Sequence, residues 1–252
     1  MPNNYKLLWI LFYGCLSNIV FAENSVKEIH FVGSEIEDYA NRDGSGLYFE
    51  EFKAVFEPHG IKLNIDIVPP KRATAMVNNN KADCMWDIFA NEEKNLLYPR
   101  WPNDSDDISA IYLKSKGIDW QGVDTLAKHS LVQIRGYKLE SQFKETLGKM
   151  TEVSGEEQAI QMVTSGRVDI YIDSSFSINN VLEELKLDPA NYEIQYVKNN
   201  YLYFVCANNE KSKEIARIWD AEFPKLMKSG KIKAMFEKWE AMEYYNLLQK
   251  FE

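Results

Sequence analysis

Arg135, Gly136 and Tyr137 close an apolar run that starts at Ser130, and they stand just ahead of a helical pattern. A glycine there lets the backbone approach a ligand closely, and the first turn of the next helix offers free N–H groups to an anion. Arg135 beside them would fix a carboxylate with its two-pronged guanidinium. Its competing role is a surface ion pair with nearby acids. Arg72, early in a second helical pattern, suits packing of its long stem as well as ligand contact. Trp86 either stacks on a ligand or fills a strand edge, and Tyr39, Tyr48 and Tyr203 stand open in the same way. Catalysis has less to work with. His30, His59 and His129 lie apart, and no H-E-x-x-H, G-x-S-x-G or phosphate-cradling loop occurs. Cys84 and Cys206 belong to no C-x-x-C pair, so neither zinc nor dithiol redox chemistry is expected. They form one bridge or remain two buried thiols, and spacing does not choose between these. No metal and no cofactor is expected.

The 252 residues are 45% apolar and 27% charged, with 29 Lys and Arg against 38 Asp and Glu. That composition excludes a disordered or fibrous chain, and the negative balance repels a phosphate backbone, so no nucleic-acid partner is expected. A mean hydropathy of −0.39 excludes several membrane spans. One segment departs from the average. Lys6 precedes Leu7-Leu8-Trp9-Ile10-Leu11-Phe12-Tyr13, and Val20 and Ala22 precede Glu23 at the spacing of a leader cut. Residues 1–22 therefore read as a cleavable signal peptide, which exports the mature chain. The alternative, an uncleaved anchor, is weakened by Gly14, Ser17 and Asn18, which interrupt a run already short of the ~20 apolar residues of a span. The cut removes Cys15 and leaves Cys84 and Cys206 in an oxidising compartment.

The elements that must position these residues alternate in type. Glu28 to Val32 reads as a strand, Leu47 to Phe56 as a helix and Lys62 to Val68 as a half-wet strand. A helix opens at Pro70, and Cys84-Met85-Trp86 is a third strand. The cycle then repeats: strand at Ser130 to Ile134, helix at Lys138 to Leu147, strand at Met150 to Val153, helix at Glu156 to Ser165, strand at Val168 to Ile172. Each cycle carries a polar turn and an Asp ahead of its last strand, at Asp83 and Asp169. Such alternation predicts α/β architecture with two similar lobes. Ile108 to Leu113 and Tyr201 to Val205 would cross between them, giving two separate sheets, a two-strand hinge and a cleft. Helices near Ser212 to Leu226 and Lys231 to Trp239 would return to the first lobe. The tail from Ala241 to Glu252, with Tyr244, Tyr245, Leu247, Leu248 and Phe251, is either a docking helix or a stripe packed on its own lobe.

Several stretches carry a likeness: Asp43-Gly-x-Gly46 with Phe49, Pro70-Lys-Arg-Ala-x-Ala-Met-Val, Gly166-Arg-Val-Asp-x-Tyr-Ile-Asp, and Lys228-Ser-Gly-Lys-Ile-Lys-Ala-Met-Phe-Glu-Lys-Trp. In order and spacing the chain resembles family-3 periplasmic solute-binding proteins, the type II class that delivers amino acids to ABC importers. The resemblance implies two Rossmann-like lobes joined by a two-strand hinge, with residues 23–112 and 201–252 in lobe 1 and 113–200 in lobe 2. It implies a monomer that binds a small polar solute and docks on a membrane ABC permease. Asp173 then matches the carboxylate that meets the ligand ammonium, and an ionised carboxylate is acceptor-only. Its other role is the N-cap of a following helix. The family's ligand-holding arginine is absent. The stretch Asn91-Glu-Glu-Lys-Asn95 stands there, where Lys94 offers charge without a planar fork. Trp86-Asp87 replaces small residues, and Tyr39 is the nearest match to an aromatic loop. An ordinary α-amino acid is a poor fit to these departures. Two other functions remain in view. One is a sensor or partner-presenting protein; the other is a cleft enzyme of the dehydratase type, with Asp87 and Asp173 as acid and base.

Overall fold

The computed structural model describes residues 26–135, 137, 139–143 and 147–251, with backbone alone at 140 and 141. The predicted leader, Gly136 and part of the predicted helix from Lys138 to Leu147 lie outside those residues.

Leu63, Ile65 and Ile67 alternate with polar residues and form β2 (Lys62–Ile67), parallel to β1 (Glu28–Gly33). Between them α1 (Leu47–Phe56) buries Leu47, Phe49, Phe52, Val55 and Phe56 at helical spacing. Gly46 has a φ of 129°, and a Cβ there would stand 2.4 Å from the Tyr39 carbonyl oxygen. Only glycine lets the loop carrying Tyr39 lie this close to the helix start. The Tyr48 amide then donates to that carbonyl at 3.0 Å. Pro70 opens α2 (Pro70–Asn78), and β3 (Cys84–Phe89) returns parallel to β1.

The chain next runs through β4 (Asp104–Leu113), a short α3 (Val123–Leu126), β5 (Leu131–Ile134), β6 (Met150–Val153), α4 (Glu156–Thr164), β7 (Ile170–Asp173) and α5 (Ser175–Glu184). It returns along β8 (Tyr192–Cys206) to α6 (Glu210–Lys228), α7 (Lys231–Lys238) and α8 (Met242–Leu248). The strand order is β2-β1-β3-β8-β4-β7-β5-β6. Two parallel triplets of the same order, β2-β1-β3 and β6-β5-β7, therefore flank two long strands. The predicted α/β class and paired architecture hold. The sheet is nonetheless continuous where two separate sheets are expected, because β4 and β8 pair with each other from Asp104↔Leu202 to Leu113↔Tyr192.

The repeated aspartate has a structural reason. In the first triplet the Asp83 carboxylate accepts from the His30 amide at 2.8 Å, and the Asp83 amide donates to the His30 carbonyl at 2.9 Å. In the second, Asp169 makes the same pair of contacts with Ser130, at 3.1 and 3.0 Å. Each aspartate clips the start of an outer strand to the middle strand beside it.

The core divides with the triplets. Phe31, Phe52, Phe56, Phe204, Trp219 and Phe223 form an aromatic cluster under the first, with Phe31 stacked on Phe52 at 4.4 Å. Val132, Ile160, Val163, Ile178 and Leu182 fill the second around Tyr171. Cys84 faces Cys206 across β3 and β8, and the two form a disulfide, which settles the alternative left open by spacing.

One expectation changes and one open alternative is settled. Between Lys138 and Leu147 the described residues form only a 3-10 turn, Leu139–Gln142. The buried Gln133 side chain takes the Leu139 amide at 2.8 Å, so that donor is satisfied from β5. The C-terminal stripe packs on its own chain. Tyr245 and Leu248 are buried, and Phe251 sets its ring 5.4 Å from Trp101 and 5.0 Å from Tyr201. Among the described residues no helix is long and apolar enough to cross a membrane.

Candidate functional site

The C-terminal end of β3 is irregular. Its pairing with β8 shifts between Met85 and Ile88, and Asp87 adopts a φ of 65° inside the bulge. Asp tolerates the left-handed region better than most residues, and a bulge re-aims the side chain it carries. Asp87 thereby lines a chamber of about 200 Å³ with Phe89. The crossing strands add Asp106, Asp107 and Asn200, and the second triplet adds Tyr137, Asp173 and Ser174. The chamber thus lies where both triplets meet the crossing strands.

Asp107 holds this junction together. Its carboxylate accepts from the Ser175 hydroxyl at 2.7 Å, the Ser175 amide at 3.1 Å and the Ser109 hydroxyl at 2.5 Å. These bonds tie the start of α5 to β4. Asp173 is likewise ordered: the Tyr171 hydroxyl donates to it at 2.5 Å and the Ser174 amide at 2.8 Å. The cap of α5 is Ser174, which accepts from the Ser177 amide, so Asp173 is the last strand residue and not the cap. Asp106 and Asp87 receive no side-chain donor among the described residues, and Asp106 accepts only the Asp107 amide at 2.7 Å.

A second chamber, of about 150 Å³, shares Asp87 and Asp106 with the first and is closed by Tyr39, Tyr48, Asp104 and Tyr244. The Tyr48 hydroxyl donates to Asp104 at 3.0 Å. A third, of about 370 Å³, meets the first at Asp107 and the second at Tyr244, and is lined by Phe176, Ile194, Tyr196, Glu243 and Leu247.

Burial of several carboxylates together opposes ionisation. It pushes Asp106 up to about 8, with the charges of Asp107, Asp104 and Asp173 adding to the effect. Burial likewise lifts Asp104 to about 7 against its hydrogen bonds from Ser105 and Tyr48. Asp87 rises to about 6 through burial and the charge of Glu92, and Asp173 to about 6 through burial. The Tyr137 hydroxyl is pushed up to about 12, again by burial first. The chambers are rich in hydrogen-bond acceptors.

Of the residues proposed from sequence, Asp87, Tyr137 and Asp173 meet in the first chamber and Tyr39 lines the second. The others are elsewhere. Trp86 is 2% exposed, donates to the Ser34 carbonyl at 3.1 Å and lies over Gly33, so it is core and not a ligand platform. Arg135 has a side chain 69% exposed, 4.0 Å from Glu152; the surface ion pair is the arrangement observed. Lys94 is exposed and lines none of the three chambers. Arg72 is exposed on α2, beside a separate groove with Met76 and Lys81. Gly136 lies outside the described residues.

Sequence reasoning missed Asp104, Asp106 and Asn200. A signal was present. Asn103-Asp104-Ser105-Asp106-Asp107 runs straight into the apolar Ile108 to Leu113, and aspartate is depleted in strands. The three histidines sit in peripheral pairs, His30 with Asp66, His59 with Glu222 and His129 with Asp169.

No family model and no curated protein matches the chain. Solved structures do. A histidine kinase sensor domain with similarity to periplasmic binding proteins superposes with a TM-score of 0.58 at 14% identity, over 85% of this chain and 96% of that one. An ABC uptake transporter substrate-binding protein from Streptococcus pneumoniae with bound histidine gives 0.56 at 17%, over 84% and 92%. An ancestral amino-acid-binding protein, a precursor of cyclohexadienyl dehydratase, gives 0.54 at 17%, over 84% and 95%. Identities this low show the fold alone. The chain has the type II periplasmic binding protein fold, in line with the resemblance read from its motifs.

Proposed function

We propose that this chain is a periplasmic solute-binding protein that captures a small polar solute, an amino acid or related compound, by closing two lobes around it. The lobes are residues 23–112 with 201–252, and residues 113–200. The observation that carries this reading is the chamber at the junction, whose walls come from β3, from both crossing strands and from the end of β7. A ligand seated there touches both lobes at once, and only such contacts can favour the shut state. The hinge is β4 with β8, whose pairing shifts register between Ile108 and Ser109, midway along the crossing.

Export through a leader at residues 1–22 and delivery to a membrane ABC permease complete the proposal, with the protein acting as a monomer and without catalysis. Asp87 and Asp173 do share a chamber. Their part is ligand contact, since the histidines that would relay protons are peripheral. A second reading, a ligand-sensing domain, is favoured by the likeness to a kinase sensor domain.

A thermal-shift screen over amino acids, polyamines, small carboxylates and short sugars tests capture. A true ligand at a hundredfold its Kd adds about 2.7 kcal/mol of stability. Small-angle scattering should show the chain contracting with that ligand. Turnover of the same ligand would replace binding with catalysis. Loss of uptake on gene deletion separates import from sensing.

A further inference from the structure

Chambers that bind α-amino acids must satisfy two opposite charges, an ammonium and a carboxylate. The three chambers here offer one sign only among the described residues. Their walls carry Asp87, Asp104, Asp106, Asp107, Asp173 and Glu243, and among the described residues no lysine or arginine lines any of them. The cations that sequence offered for a ligand carboxylate, Arg135, Lys94 and Arg72, are all exposed and outside the three linings.

A separate observation points to a donor-bearing occupant. Asn200 lines the first chamber, is 3% exposed, and its amide oxygen has no hydrogen-bond partner among the described residues. A buried acceptor left without a donor is destabilising, and a ligand N–H removes that penalty. Asp106 and Asp87, which lack side-chain donors among the described residues, border the same space.

The apolar part of the site has a matching character. Phe176, Tyr196 and Tyr137 are the large hydrophobic side chains left exposed among the described residues, at 53%, 54% and 39%. All three face the chambers: Phe176 and Tyr196 the largest, Tyr137 the first. Aromatic faces beside carboxylates hold alkylammonium groups, because the ring quadrupole attracts the cation and the ring covers its methylenes. Inorganic cations fit less well, since no three His, Cys, Asp or Glu among the described residues are grouped as metal ligands.

We propose that the solute is an organic cation without a carboxylate, an aliphatic diamine or polyamine. One ammonium lies between Asp87, Asp106, Asp173 and the Asn200 amide oxygen, and the chain extends toward Phe176 and Tyr196. The largest chamber shares Asp107 with the first and Tyr244 with the second, and an elongated ligand would lie across these shared walls. This inference rests on the capture reading and narrows its solute.

Matched pairs test it. Calorimetric titration of the mature chain compares 1,5-diaminopentane with L-lysine, 1,4-diaminobutane with L-ornithine, and agmatine with L-arginine, each pair differing by the α-carboxylate. Spermidine and calcium chloride complete the set. At least one amine should bind ten times tighter than its amino acid, or spermidine should bind where no amino acid does. Asp106→Asn should weaken that binding at least tenfold, and Asn200→Ala several-fold. Asp119→Asn, at an exposed loop position, should leave it unchanged and so exclude a bulk-charge effect.

An amino acid that binds as tightly as its amine overturns the cation proposal and leaves capture standing. Calcium binding as tightly as the best amine, with the same sensitivity to Asp106→Asn, overturns the organic class. Silence from every amine overturns the proposal too. If the wider solute screen is also silent, capture falls with it.

Discussion

Asp106→Asn should make the ligand-free protein more stable while weakening its ligand binding. The side chain lies in a cluster: Asp104 and Asp107 on its own strand, Asp87 from β3, Asp173 from β7, Tyr137 beyond β5, and Tyr244 from α8. Burial there raises its carboxyl from the usual 3.8 to about 8. A group with a raised folded value contributes stability that is complete below its unfolded value and lost as pH rises through the folded one. At pH 7 the unfolded aspartate is ionised and the folded one is largely protonated, so about three pH units separate pH 7 from the unfolded value. At 1.36 kcal/mol per unit the ceiling is about 4 kcal/mol. The neighbouring carboxylates share the titration, so the gain from this one substitution is nearer about 2 kcal/mol. Asparagine keeps the oxygen that accepts the Asp107 amide, so the local hydrogen bond survives. In urea unfolding the variant should gain about 2 kcal/mol at pH 7 and almost nothing at pH 3.5, and Tm at pH 7 should rise by roughly 4–8 °C for a chain of this size. Equal gains at both pH values, or a loss at pH 7, would refute the account of the cluster. A site that destabilises its own fold in this way exchanges stability for function.

Other perturbations follow from the same structure. The unliganded wild-type protein should gain stability as pH falls from 8 to about 5, because Asp106, Asp104, Asp87 and Asp173 all have raised values; a flat Tm across that range contradicts it. Reducing the Cys84–Cys206 bridge reopens a loop of 122 residues, worth about 5 kcal/mol by loop entropy, so urea midpoints with and without reductant should differ by several kcal/mol. Gly33→Ala places a methyl 2.3 Å from the Trp86 ring and should cost about 2 kcal/mol in chemical denaturation. Arg135→Ala should change ligand affinity by less than about 0.5 kcal/mol, since its exposed pair with Glu152 is weak and its side chain lines none of the three chambers.

Periodicity alone placed most elements. Leu63, Ile65 and Ile67 could only be one face of a strand, and Leu47, Phe49, Phe52, Val55 and Phe56 one side of a helix, because apolar spacing is local information. The twin aspartates marked a repeated unit for the same reason: each serves one strand pair, Asp83 with His30 and Asp169 with Ser130. The segment from Lys138 to Leu147 misled because Leu139, Phe143 and Leu147 mimic helical spacing, while the Leu139 amide is claimed by Gln133.

Sequence therefore determined the α/β order and the two-fold repetition, both of which depend on which residues follow which. The tertiary structure decided the rest. Only folding shows Cys84 opposite Cys206, Trp86 spent on covering Gly33, and Arg135 at the surface. Only folding brings Asp87, Asp106, Asp173 and Asn200 into one chamber, from four strands spread over more than a hundred residues. Their shared burial, which no single segment encodes, is what raises the carboxyl values.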